Sequence, residues 1–193
     1  FDITVGTSDA GLSTTVQTAK KDNIYNQMAQ VLMGYDKNGN IQKFDEDGNI
    51  TDGGFKINNA IFLSFSRLLV KDEIKKGSFE LELAASASYT TNIFGERIKI
   101  TDHNAQNSFK INSPAGEYGI LYATNAAGTP LSASAPSYNV GATDLPCGLL
   151  YYQAGVAVLN SAIFMEGTGS GDGGFLSSSV DFDGSGTTLT GSI

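Results

Sequence analysis

The chain has one cysteine, Cys147, and no tryptophan among its 193 residues. A single cysteine excludes an intrachain disulfide and any pair of cysteines at zinc-ligand spacing. Four prolines are too few for a collagen-like or polyproline chain. Charged residues make up only 17% of the sequence, and a helical bundle or coiled coil would need far more.

Basic residues are missing from the second half of the chain. No lysine or arginine follows Lys110, whereas six acids do: Glu117, Asp144, Glu166, Asp172, Asp181 and Asp183. Such a surface cannot neutralise phosphates, and the bases of the first half are scattered. The charge distribution therefore excludes a nucleic-acid partner for the second half and disfavours one elsewhere.

An uncharged stretch, residues 145–165, is long enough to span a membrane. Polar residues and helix breakers interrupt it, and it has no flanking basic anchors. It predicts a buried β-hairpin and no membrane span. The chain opens at Phe1 without a signal-peptide pattern. Because residues 181–193 are rich in Gly, Ser and Thr, we expect a fragment of a longer chain.

The patterning predicts a mainly β fold of antiparallel, sandwich-like sheets, with one short helix and long extended loops and arms. The helix is expected over residues 20–33, begun by Asp22 and ended by Gly34. Its apolar face is Ile24, Met28, Val31 and Leu32. Residues 1–19 are predicted to form an extended arm or an edge strand. Strands are predicted in 60–70, 78–83, 97–101, 108–111, 118–122, 149–152 and 156–159.

Three segments are expected along the chain. Residues 1–59 hold the arm, the helix and two hairpin turns, and residues 60–165 form the main β domain. Residues 166–193 are a Gly/Ser-rich linker followed by a C-terminal strand.

Two similar turns follow the helix, and the second is a candidate calcium site. In the segment FDEDGNITD, Asp45, Asp47, Asn49 and Asp52 place oxygen ligands at intervals, as hard cations require. The spacing differs from a calcium hand, because Lys56 occupies the position of the bidentate glutamate. The competing interpretation is an Asp-Gly hairpin turn without metal. No other cofactor is expected.

Catalytic motifs are weak throughout the sequence. The single histidine, His103, follows Asp102, but no nucleophile elbow accompanies them, which favours a turn residue. The Gly-rich segment 167–174 lacks the lysine of a P-loop and contains Asp172. These observations predict a protein that is not an enzyme.

Three segments in order carry a family resemblance: KDEIKKGSF from Lys71, GEYGILY from Gly116, and GLLYYQAGVAVL from Gly148. Over residues 60–165 they resemble large virion structural proteins of contractile-tailed phages of marine and cyanobacterial hosts. The resemblance implies a tail, baseplate or other virion component, with other virion proteins as partners. It implies no catalytic residues.

The leading hypothesis is therefore a non-enzymatic structural component of a tailed-phage virion. It would assemble with other copies of itself through strands and loops. The alternative is a secreted or surface adhesin module whose acidic turns bind calcium or a glycan. A third is a hydrolase domain, such as a tail-associated depolymerase, which would need two acids facing one groove.

Overall fold

The computed structural model describes residues 1–8, 16–50, 56–65, 73–84, 97–125 and 145–161. Seven strands and two helices lie in these ranges. In chain order they are β1 (Asp2–Thr7), α1 (Val16–Leu32), β2 (Asn59–Ser64), β3 (Glu80–Ala84), β4 (Arg97–Thr101), α2 (Ala105–Ser108), β5 (Tyr118–Asn125), β6 (Leu145–Tyr151) and β7 (Val156–Asn160).

All seven strands belong to one sheet in the order β1-β2-β7-β6-β5-β4-β3. Every neighbouring pair is antiparallel. The sheet curls into a half-barrel, which confirms the prediction of a mainly β, antiparallel fold. The sandwich-like arrangement is not confirmed, because the described strands form a single curled sheet.

The middle of the sheet is buried on both faces. One cluster lies on the face of the sheet that we call the inner face, and we call this cluster the inner core. Its buried members are Ile61, Leu63, Ile100, Ala105, Leu121, Ala123, Cys147, Leu150, Tyr152, Ala157 and Leu159. On the outer face the strands meet α1 and the turns that follow it. Because both faces are buried, β6 and β7 consist mainly of consecutive apolar residues and do not alternate between apolar and polar residues.

The predicted helix is confirmed as α1, although two details of the prediction are wrong. Asp22 lies inside α1 and does not begin it, because α1 starts at Val16. Val31 is 66% exposed. Among residues 19–32 of α1, whose burial is described, three are buried: Tyr25, Ala29 and Leu32. Gly34, just beyond α1, has a φ of 78°, as expected of a helix-ending glycine.

Most strand predictions that fall on described residues are confirmed, and one is wrong. Residues 108–111 do not form a strand, because the short helix α2 ends at Ser108 and only Lys110 makes an isolated bridge, to Tyr118. The hairpin predicted within residues 145–165 is formed by β6 and β7. In the described part of the chain, no helix is long and apolar enough to cross a bilayer.

Candidate functional site

The acidic turn, residues 44–50, is anchored among the buried residues on the outer face of the sheet, which include Tyr25, Phe44 and Ile57. Phe44 is fully buried, and its backbone N–H donates a hydrogen bond to the Tyr25 hydroxyl at 3.2 Å. The same hydroxyl donates to the Ile57 carbonyl at 2.6 Å. Ile57 N–H in turn donates to the Phe44 carbonyl at 3.0 Å. Tyr25 therefore fixes both ends of the loop that carries the turn.

Within the turn, two carboxylates accept hydrogen bonds from the backbone. Asp45 Oδ1 accepts from Asp47 N–H at 3.2 Å, and Asp47 Oδ1 accepts from Asn49 N–H at 2.8 Å. Gly48 has a φ of 70°, as the Asp-Gly signal predicts. The pKa of Asp47 is lowered, first by a hydrogen bond with the Asp45 side chain and then by the hydrogen bond from Asn49 N–H. The geometry is that of consecutive side-chain-capped turns.

Three of the four candidate calcium ligands lie together in this turn, and Asp52 lies outside the described residues. Asp45 Oδ2 pairs with the Lys56 ammonium group. Burial nevertheless raises the pKa of Asp45 to about 6, against the opposing effect of Lys56. Across the described ranges, no group of three or more His, Cys, Asp or Glu side chains is placed to hold a metal ion. Calcium binding stays a prediction.

Glu46 is the acid that sequence reasoning missed. It is 2% exposed, and its Oε1 accepts a hydrogen bond from Asn160 Nδ2 at the end of β7. Its Oε2 is buried without a hydrogen-bond partner. Desolvation raises the pKa of Glu46 to about 7. The sequence placed Glu46 between two turn-forming acids, where an exposed side chain is expected, and gave no signal of burial.

Asp102 and His103 are adjacent in the chain, but their side chains make different contacts. The Asp102 carboxylate is buried and accepts from Gly77 N–H and Phe79 N–H, each at 2.8 Å, and from the Tyr152 hydroxyl at 3.1 Å. His103 Nδ1 lies 3.2 Å from Thr101 Oγ1, in a turn. Asp102 thus ties the segment before β3 to the core, and His103 is a turn residue as predicted.

The outer edge of β1 presents backbone groups that point away from the sheet. Ser8 N–H donates to the Asn58 carbonyl at 2.7 Å. In an antiparallel ladder, hydrogen-bonded pairs recur at every second residue. The backbone N–H and C=O groups of Thr4 and Gly6 therefore point towards β2. The N–H and C=O groups of Ile3 and Val5 therefore point outwards. Among the described strands, only β2 pairs with β1.

The opposite edge of the sheet, β3, has the same organisation. Asp102 N–H donates to the Phe79 carbonyl, which assigns Leu81 and Leu83 to the hydrogen-bonded pairs with β4. The backbone groups of Glu80 and Glu82 consequently point away from β4. In the described ranges, β4 is the only strand that pairs with β3.

Apolar side chains are exposed beside the β1 edge. Phe1 is 63% exposed and Ile3 is 49% exposed. Both lie on the same face of β1 as Val5, which packs against the inner core. An outward-pointing backbone next to exposed apolar side chains is the usual composition of a strand that accepts a partner strand.

Comparison of the chain with protein-family models, with curated proteins and with solved structures found no match.

Proposed function

We propose that this chain is a non-enzymatic structural component of a tailed-phage virion, which assembles with neighbouring subunits by strand addition at the edges of its sheet. The observation that carries the proposal is the β1 edge, where the Ile3 and Val5 backbone points outwards beside exposed Phe1 and Ile3 side chains.

Composition supports the assembly role of β1. Soluble proteins usually protect an edge strand with lysine, proline, a bulge or an inward-pointing charge. The segment DITVGT has neither lysine nor proline, and its only charged residue is Asp2. Backbone hydrogen bonds across such an edge supply affinity, and the apolar side chains of Phe1 and Ile3 lose exposed surface on pairing.

The hydrogen bonds of Asp102, the buried acid next to His103 in the chain, support a structural role for its carboxylate and not a catalytic one. Both of its oxygens accept hydrogen bonds from backbone N–H groups of residues 77–79. A carboxylate used in this way holds a loop in place, and it is not directed at a nucleophile. The resemblance of residues 60–165 to virion structural proteins provides the particle context.

The experiment is a native-mass measurement by light scattering over a range of concentrations, on the native chain and two variants. Ile3→Lys introduces a charge at the β1 edge. Val31→Lys is the matched control, because Val31 is also an exposed aliphatic residue but lies on α1. We expect the native chain and the Val31→Lys variant to form oligomers, and Ile3→Lys to shift the mass towards the 20.3 kDa monomer.

Two results would contradict the proposal. A native chain that stays monomeric up to high concentration would exclude self-assembly. Oligomers of equal mass in all three proteins would show that the β1 edge is not the contact.

A further inference from the structure

Asp45 and Lys56 face each other across a short antiparallel bridge. The residues next to them hold this bridge together, because Ile57 N–H donates a hydrogen bond to the Phe44 carbonyl at 3.0 Å. Phe44 and Ile57 are both fully buried, which fixes the backbone that carries the pair. From this backbone the Lys56 ammonium group reaches Asp45 Oδ2. The fold therefore holds an amine nitrogen in contact with a carboxyl group.

Burial of the acid distinguishes this ion pair from two others in the described residues. The Asp45 side chain is 0% exposed. Glu117, which pairs with Lys76, is 34% exposed. Glu80, which pairs with Lys99, is 55% exposed. The three lysines are exposed to similar extents, so the difference lies in the acids. Bulk water surrounds the other two carboxylates but does not reach that of Asp45.

The two oxygens of the Asp45 carboxylate have different partners. Oδ2 contacts the ammonium group, and Oδ1 accepts a hydrogen bond from Asp47 N–H at 3.2 Å. A nucleophile that adds to Cγ would move negative charge onto Oδ1, where this backbone donor already lies. The turn is also closely packed, since a Cβ atom at Gly48 would meet Lys110 Cγ at 3.1 Å and Tyr118 Cε2 at 3.5 Å. Such packing limits the access of water to the turn.

We propose that Asp45 and Lys56 condense to an amide, which links the acidic turn covalently to the facing segment. Lys56 Nζ adds to Asp45 Cγ, and the bond between Cγ and Oδ2 breaks. Two of the three ammonium protons leave with Oδ2 as water and the third stays on the amide nitrogen, so no co-reactant is needed. Groups held in this way react as if at an effective concentration of about 10⁵–10⁸ M. The inference is independent of the proposed function.

The experiment is mass spectrometry of the full chain, kept folded at physiological temperature and sampled over several days. We expect the intact mass to fall by one water, about 18 Da, below the mass that the sequence requires. Trypsin cuts an unmodified chain after Lys43, Lys56 and Arg67. Because the amide blocks the cut after Lys56, we expect a single peptide of residues 44–67 that carries the mass loss.

Two variants and one condition serve as controls. Lys56→Arg keeps a positive charge beside Asp45, but its guanidinium group stays protonated and is not a nucleophile, so this variant should retain its full mass. Lys99→Arg changes a pair whose acid is exposed and should lose water as the native chain does. The native chain kept unfolded in urea should also retain its full mass, because condensation needs the contact that the fold provides.

A native chain of full mass that trypsin cuts after Lys56 would overturn the inference. A loss of water that persists in Lys56→Arg would overturn it as well, because the pair Asp47-Gly48 can lose one water by closing to a succinimide. The digest separates the two reactions in the native chain alone, since a succinimide leaves the cut after Lys56 intact. Light scattering tests the assembly at β1 separately, so either proposal can fail without the other.

Discussion

Gly6 of β1 lies directly against Tyr25 of α1. A Cβ atom at position 6 would come within 2.9 Å of the Tyr25 backbone nitrogen and 3.0 Å of its Cα. The close approach allows α1 to cover the edge strand, and it brings the Tyr25 hydroxyl to the two ends of the acidic loop. The absence of a side chain at Gly6 is therefore required for this close packing of α1, which also places Tyr25 beside the turn.

Gly6→Ala should destabilise the fold because the added methyl group meets backbone and not a movable side chain. We expect the free energy of unfolding to fall by about 1–3 kcal/mol, as for other overpacked cores. Chemical denaturation measures the change. Thr4→Ala is the matched control, because Thr4 lies on the same strand and face but is exposed. Equal losses in the two variants would contradict the close packing of α1 on Gly6.

Glu46 should make the stability of the protein depend on pH. Burial raises its pKa from 4.5 to about 7, so the folded chain retains a proton that the unfolded chain releases. The stability from this proton is complete below the unfolded-state pKa and is lost as pH rises through the folded-state value. A shift of this size corresponds to a loss on the order of 3 kcal/mol.

Glu46→Gln should remove this pH dependence, since the amide stays neutral and its oxygen can still accept from Asn160. We expect urea unfolding to show the variant more stable than the native chain at pH 8 and of similar stability at pH 4.5. Glu80→Gln, which changes an exposed carboxyl group of β3, is the control. It should leave the change in free energy of unfolding between pH 4.5 and pH 8 unaltered. If the free energy of unfolding changed equally with pH in Glu46→Gln and in the native chain, Glu46 would have to be solvated.

The Asp102 carboxylate should contribute more to stability than its hydroxyl partner. Asp102→Asn loses at least one of two acceptors for the backbone N–H groups of Gly77 and Phe79, and we expect a cost of about 2–4 kcal/mol. Tyr152→Phe removes only the hydroxyl donor and should cost about 1 kcal/mol. Thermal or chemical unfolding compares them. A larger loss in Tyr152→Phe would reverse this assignment.

The sequence predicted those elements whose patterns are local. The alternation of apolar and polar residues in 78–83 and 97–101 predicts strands, and the structure has β3 and β4 there. The pair Asp47-Gly48 predicts a turn, and Gly48 has a positive φ. Val31 was misassigned because a second apolar set, Tyr25, Ala29 and Leu32, fits helical spacing equally well. Contacts with the rest of the fold determine which of the two sets is buried, and the sequence of the helix alone does not indicate those contacts.

Long-range pairing could not be predicted in the same way. Nothing local indicates that β2 lies between β1 and β7, or that Asn160 meets Glu46 across 114 residues of sequence. The curl that brings Val5 and Leu81 to one core is likewise a property of the whole sheet. The acidic turn was found from sequence, but its neutralisation by Lys56 depends on the bridge between Asp45 and Lys56.

That bridge leads to a prediction for calcium. A cation at Asp45 and Asp47 would have to displace the Lys56 ammonium group from Asp45 Oδ2 and tolerate its charge nearby. We therefore expect millimolar calcium to leave the melting temperature of the native chain unchanged. Lys56→Met removes the competing charge and leaves the buried Asp45 carboxylate without its ion pair, which should lower stability. In that variant, calcium should raise the melting temperature if Asp45, Asp47, Asn49 and Asp52 can act together as ligands.

Magnesium serves as the control cation for this comparison, because it requires a stricter octahedral geometry than calcium does. A rise in melting temperature of the native chain with calcium, abolished by Asp52→Asn and absent with magnesium, would establish a calcium site despite Lys56. That result would also support the adhesin hypothesis, because a bound calcium ion at the acidic turn is what that hypothesis requires.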